Sequence, residues 1–273
     1  PGRLEDFWRR SCKFWHDLEM PDGGVWSFNE CSHRILGSKT HVMGEPHHTT
    51  KTVFKTGLKR LILADGEGDD QIALHLGFGK DTKHGHSDYM DLMIFDNGHW
   101  LADDFGYGKH QMRARYSRPQ VHNTATIDEI SSPDNNGRPL LFASNTPGLQ
   151  VMKVGTPTTE TVEQFERTVA LVTTDIKHPY IFDLFLIKGK GDPDKVKRRE
   201  YLMHSTKSSK QIASNSLPMK KLPGERGLHQ RDGKKWDESK LNGRDYGVFF
   251  DVKGAQAKSY FTMDFEVEDP WKK

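Results

Sequence analysis

Two histidines one residue apart, His84 and His86, head the stretch KHGHSDYMDLMIFDNGHWLADDFGYG, and the paired acids Asp103 and Asp104 stand near its end. Residues two apart on a strand face the same side, so the two imidazoles project together. Asn97-Gly98 suits a two-residue type I′ turn, which needs positive φ at both central positions. That turn folds HWLADDFG back beside DLMIFD and brings Asp103 or Asp104 towards the histidine end. His122 opens a third alternating segment within RYSRPQVHNTATID that can pack next to the first two. Two imidazoles and a carboxylate drawn from three strands compose a zinc site with an open position. Separate polar residues at strand ends would leave the same trace in the sequence.

The elements that must position these residues are legible from periodicity. RLEDFWRRSCKFWHDLEM, Arg3 to Met20, carries Leu4, Phe7, Trp8, Cys12, Phe14, Trp15 and Leu18 near helical spacing, and Pro21, Gly23 and Gly24 end it. An irregular stretch follows to His48. Beyond Thr49 the chain breaks into short alternating segments such as QIALHLGF, DLMIFD, GLQVMKVG, QFERTVALVTT and PYIFDLFLIKG, separated by Gly, Asp, Asn and Pro. The expectation is a mainly β protein, an antiparallel β-sandwich with a short N-terminal helical segment, divided into residues 1–48 and a sandwich domain at 49–273. His75 and His204 alternate with apolar neighbours and read as core histidines, and Trp100 and Trp236 read as packing residues before sugar platforms.

Composition bounds the function. Among 273 residues, 40 Lys and Arg nearly cancel 38 Asp and Glu, leaving a net charge of +2. Cations gather in KGKGDPDKVKRRE and MKKLPGERGLHQRDGKK, either as solvated loops or as a rim facing a polyanion. No helix-turn-helix, zinc-finger or RNP pattern accompanies them, so nucleic acid is not an expected partner. No stretch has the length of a transmembrane helix, and a membrane is not expected either. Cys12 and Cys31 suit one disulfide or two free thiols, and their pairing stays open.

Two metal-site families share parts of the pattern. His84-Gly85-His86, Asp91 and Gly98 approximate the first motif of the cupin barrel, with Asp where Glu is usual, and would imply iron or manganese. The blocks HGHSDYMDLMIFDNGHWLADDFGYG, YSRPQVHNTATID, HPYIFDLFLIKGKG and EYLMHST, in this order, resemble the β-sandwich domain of the heparinase II/III-like polysaccharide lyases. That resemblance implies zinc ligands at His86, Asp104 and His122, Asp104 being chosen because it begins the D-F-G that matches the family's D-x-G. It implies a catalytic role for His84 and an acid or base role for Tyr116, with Tyr107 as its rival.

The implied reaction is β-elimination on an anionic uronic-acid polysaccharide, which places the protein outside the cytoplasm, secreted or periplasmic. The proton α to a charged carboxylate is weakly acidic, so the site must neutralise the carboxylate and hold an acid and a base near it. Arg113, Arg115 and Arg118 are near enough in sequence to lower the tyrosine pKa or to grip substrate carboxylates. Family members carry a large helical toroid ahead of the sandwich, whereas 48 residues precede Thr49 here. A toroid on a separate chain, or substitution by Asn29 and His33, would complete the site. The rival from another class is a carbohydrate-binding or structural module that keeps sandwich and metal without chemistry.

Overall fold

The computed structural model describes residues 2–20, 26, 50–79, 86, 88–104, 118–128, 137–191, 199–205, 214–221 and 253–264. They divide into two compact units, Pro1–His204 and Ser205–Lys273. In the first, a helix α1 (Arg3–His16) precedes β1 (Val53–Lys55), β2 (Arg60–Asp65), β3 (Ile72–Gly77), β4 (Leu92–Asp96), β5 (His99–Ala102), β6 (Ala125–Ile127), β7 (Arg138–Thr146), β8 (Leu149–Gly155), β9 (Val162–Val172), β10 (Tyr180–Gly189) and β11 (Arg199–Tyr201). In the second, β12 (Ser214–Asn215) pairs with β15 (Met263–Asp264), and β13 (Lys220–Lys221) with β14 (Lys253–Gly254).

Among the described residues of the first unit, β1-β2-β3-β4-β5 form one antiparallel sheet, β10-β9-β8-β7 a second, and β11-β6 a short pair. Leu61, Leu63, Leu74, Leu76 and Ile94 of the first sheet share a buried core with Met152, Val154, Phe165, Val169 and Leu171 of the second. Facing inner sides of two sheets around one core make the expected sandwich. Among the described residues neither sheet closes on itself in the strand order.

The middle strands of the first sheet, β2, β3 and β4, are buried on both faces. Strand residues alternate sides, and Ile62, Ala64, Ala73, Met93 and Phe95 form a second cluster with Leu18, Met20 and Trp26 from the N-terminal segment. Trp26 stacks on His75 at 5.2 Å and meets Trp100 edge to face at 5.2 Å. His75 is therefore a core residue, as its alternation implied, and Trp100 packs partly buried against the same cluster. Lys55 ties this layer down through a 2.7 Å ion pair with Asp17, just beyond the helix.

Helix α1 ends at His16, four residues before the expected Met20, and its apolar residues Leu4, Phe7 and Trp8 are exposed. The packing of this segment falls instead on Leu18, Met20 and Trp26. The hairpin forms as read: Asn97 and Gly98 have φ of 49° and 77°, and Asp96 pairs with His99.

Removing a large buried aromatic costs about 3–5 kcal/mol, whereas an exposed truncation stays within about 0.5 kcal/mol. Trp26→Ala is expected to show the larger loss in urea unfolding, and Leu4→Ala, at 80% exposure, almost none. Equal small losses would mean that the N-terminal layer does not pack on the sheet.

Candidate metal centre

The β4–β5 hairpin determines which acid reaches the histidines. Ala102, at the end of β5, points into the shared core, and alternation sends Asp104 to that same side and Asp103 away. Asp104 is 1% exposed. His86 precedes β4 and His122 precedes β6, after a short 3₁₀ turn at Pro119–Val121. Asp104 stands two residues after β5, His122 three before β6 and His86 six before β4.

His86 and His122 are 3% and 0% exposed, and their ring centroids lie 5.3 Å apart at 44°. Asp104 Oδ1 is 3.9 Å from His86 Nδ1 and 3.7 Å from His122 Nδ1. Those separations exceed hydrogen-bond length. The three donor atoms nonetheless fall within 4.8 Å of one another. Zinc bonds of about 2.0–2.2 Å would set tetrahedral neighbours about 3.3–3.6 Å apart, so small rotations complete the fit. Both ring nitrogens of His122 lack a hydrogen-bond partner among the described residues. A buried imidazole with neither nitrogen bonded is costly unless something else satisfies it. A divalent cation bound by one ring nitrogen fits the donor set.

The surroundings are acidic and dry. Asp88 and Asp91 are buried beside the trio. Asp91 Oδ1 accepts the Asn123 amide at 2.6 Å, so this acid, central to the cupin reading, serves the backbone and is not one of the three clustered donors. Burial pushes its carboxyl up to about 7; His122 and the Asn123 amide pull it down, and the charges of Asp104 and Asp88 push it up. His204 was expected in the core. It is largely buried and donates its amide to Asn123 Oδ1 at 2.6 Å. Burial holds its imidazole down to about 4, against the raising effect of a hydrogen bond to the Gln120 backbone and with a lowering contribution from His122. It is a neutral neighbour of the trio at physiological pH.

Of the other sequence-derived site residues, Arg118 is half-buried at the head of the 3₁₀ turn that leads to His122. His84, Tyr107, Arg113, Arg115 and Tyr116 lie outside the described residues, as do Asn29, His33, Cys31 and Trp236.

No protein-family profile and no curated protein matches the sequence. Solved structures match the fold. The class that fold and site define is an open antiparallel β-sandwich with a buried two-histidine, one-aspartate cluster. Solved structures like it in fold include a heparinase III gene product, with a TM-score of 0.51 at 17% identity over 67% of this chain and 33% of that one. The same product with methylated lysines gives 0.50 at 16% identity, over 67% of this chain and 32% of the other. Another heparinase III structure gives 0.51 at 14% identity, over 68% and 35% respectively. This chain thus spans about a third of the length of the heparinase III chains it matches.

Asp91 sets a pH signature. In the folded protein it keeps its proton up to about pH 7, while the unfolded residue releases it near its ordinary 3.8. The folded state binds the extra proton in that window, so this group's contribution to stability is lost as pH rises from about 4 to 7. In chelator, Asp91→Asn is expected to gain stability relative to the unaltered protein between pH 5 and pH 8. Parallel pH curves for the two proteins in urea unfolding would contradict this.

Proposed function

We propose that the chain is the β-sandwich part of a polysaccharide lyase that cleaves a uronic-acid-containing polysaccharide by β-elimination, with zinc held by His86, Asp104 and His122. One coincidence supports the reading: the buried cluster of ligand-type side chains occurs in a sandwich whose fold is like that of heparinase III structures. Such polymers are extracellular, and export of the protein goes with the proposal.

β-Elimination takes the proton α to the uronate carboxylate and expels the 4-linked oxygen, leaving an unsaturated sugar. Arg113, Arg115 and Arg118 neutralise the carboxylate by paired N–H donation, which lowers the cost of charge developing at the α carbon. His84 and Tyr116, with Tyr107 as the alternative tyrosine, share the proton transfers at the α carbon and the leaving oxygen. A tyrosine acts as base only where nearby cations bring its pKa down from about 10, and the arginines supply that charge. Zinc, when bound, contributes a fixed point of positive charge that holds the ligand-bearing segments in place. His84 lies two residues before His86, so fixing one histidine orients the other.

The test follows the ultraviolet absorbance of unsaturated uronate while the zinc-loaded chain is incubated with uronic-acid polysaccharides, heparan-type chains first. A rise with one polymer, reduced about 10²–10⁴-fold in a folded His84→Ala variant, is the expected result. No rise with any polymer overturns catalysis by this chain, and retained glycan affinity would then assign it to the binding-module class.

A further inference from the structure

We propose that Arg167 is the positioning residue of the His86, Asp104 and His122 centre: one buried guanidinium from the second sheet sets the spacing of the two segments that carry the histidines. The inference rests on the proposed metal reading of that trio. Arg167 is 0% exposed, an unusual place for an obligate cation. Its Nη1 donates to two backbone carbonyls, that of Asn123 at 2.6 Å and that of Met90. Asn123 follows His122 directly, and Met90 lies four residues after His86.

Both corners need holding. Met90 has φ of +56°, in the left-handed region that side chains other than glycine avoid, and it stands within a turn closed by the Asp91 amide on the Asp88 carbonyl at 2.9 Å. The Asn123 carbonyl also takes the Leu92 amide at 3.0 Å, Asn123 gives its own amide to Asp91, and the Thr124 hydroxyl donates to the Tyr89 carbonyl. The two histidine-bearing segments are thereby laced together, and Arg167 fastens the lacing to β9. A guanidinium forks to two acceptors in fixed geometry, which an ammonium does not.

The remaining donors explain how the cation is tolerated. Nε and Nη2 grip the two oxygens of Asp183 on β10, Nε at 2.9 Å, and the Tyr201 hydroxyl donates to Asp183 at 2.6 Å. Phe185 and Tyr201 present ring faces to the guanidinium at 4.7 and 5.9 Å. A continuous path thus runs from the half-exposed Tyr201 through Asp183 and Arg167 to the residue next to His122.

The experiment titrates the full chain and its Arg167→Lys, Asp183→Asn and Tyr201→Phe variants with Co2+, whose visible spectrum reports ligand geometry, while unfolding in chelator measures the fold separately. Arg167→Lys is expected to stay folded, to bind Co2+ about 10–100-fold more weakly and to alter the visible bands; Tyr201→Phe moves both readouts less, in the same direction. A folded Arg167→Lys with unchanged affinity and spectrum overturns the inference. Should Arg167→Lys fail to fold, Asp183→Asn decides: a folded variant with weakened Co2+ binding upholds the inference, and one with unchanged binding overturns it. If the unaltered chain takes up no Co2+, the metal reading falls by itself. Arg167 is then judged on the 15N ring signals of His122 in metal-free protein, which shift in Asp183→Asn if Arg167 positions that ring and stay in place if it does not.

Discussion

A sheet whose middle strands are dry on both faces leaves no place for an unpaired charge along them, and the rest of the molecule is arranged around that constraint. β2, β3 and β4 put one set of side chains into the shared core and the alternate set under Leu18, Met20 and Trp26. At about 1.5–3 kcal/mol for each large aliphatic side chain buried, this double burial is the main favourable term for the first sheet. Apart from His75, whose imidazole is held well below its ordinary pKa by burial and then by the charge of Arg60, the ionisable groups of these three strands stand at their ends. Asp104 and His122 lie just beyond such ends, His86 lies six residues ahead of β4, and the antiparallel pairing of β4 with β5 brings the start of one strand beside the finish of the other.

The electrostatics of that corner follow from the same burial. Asp88, Asp91 and Asp104 are all removed from water, and Arg167, although it reaches the adjoining backbone, is neutralised by Asp183. The guanidinium contributes geometry there with little net charge. Burial first, and then the charges of Asp104 and Asp88, drive Asp91 towards its protonated form. A dication among the three donor side chains would supply the missing positive charge and satisfy the unbonded ring of His122, where neutral packing would do neither.

How much of this was legible in the sequence depended on whether the deciding contact was local. Asn97-Gly98 dictated its own turn, whereas the hairpin alone left Asp103 and Asp104 open, and only the resemblance of D-F-G to the family's D-x-G chose Asp104. The strands from β2 to β10 follow their alternating segments closely. The helix was less legible, because Leu4, Phe7 and Trp8 have the spacing of a core face and yet are exposed, while the packing passed to Leu18, Met20 and Trp26. Arg167 had no local signal at all: its carbonyl partners lie 44 and 77 residues away. His204 resembled any core histidine, since its nearness to His122 comes from the pairing of β11 with β6.

The hydrogen bonds around His122 also bear on what a metal would have to do. In small zinc modules the ligands gather only when metal arrives, and binding energy is folding energy. Here the Asn123 amide on Asp91, the Asn123 side chain on the His204 amide, and Arg167 on two carbonyls fix the backbone on both sides of the centre without any ion. Binding would not have to order that backbone, so little of its free energy would be spent on conformational entropy. The desolvated charge of the carboxylates would favour a cation there, and the dehydration of the ion would oppose it. A centre organised in this way would be preformed in the sandwich, and on the Arg167 proposal its affinity would depend on second-sheet contacts as well as on the three ligands.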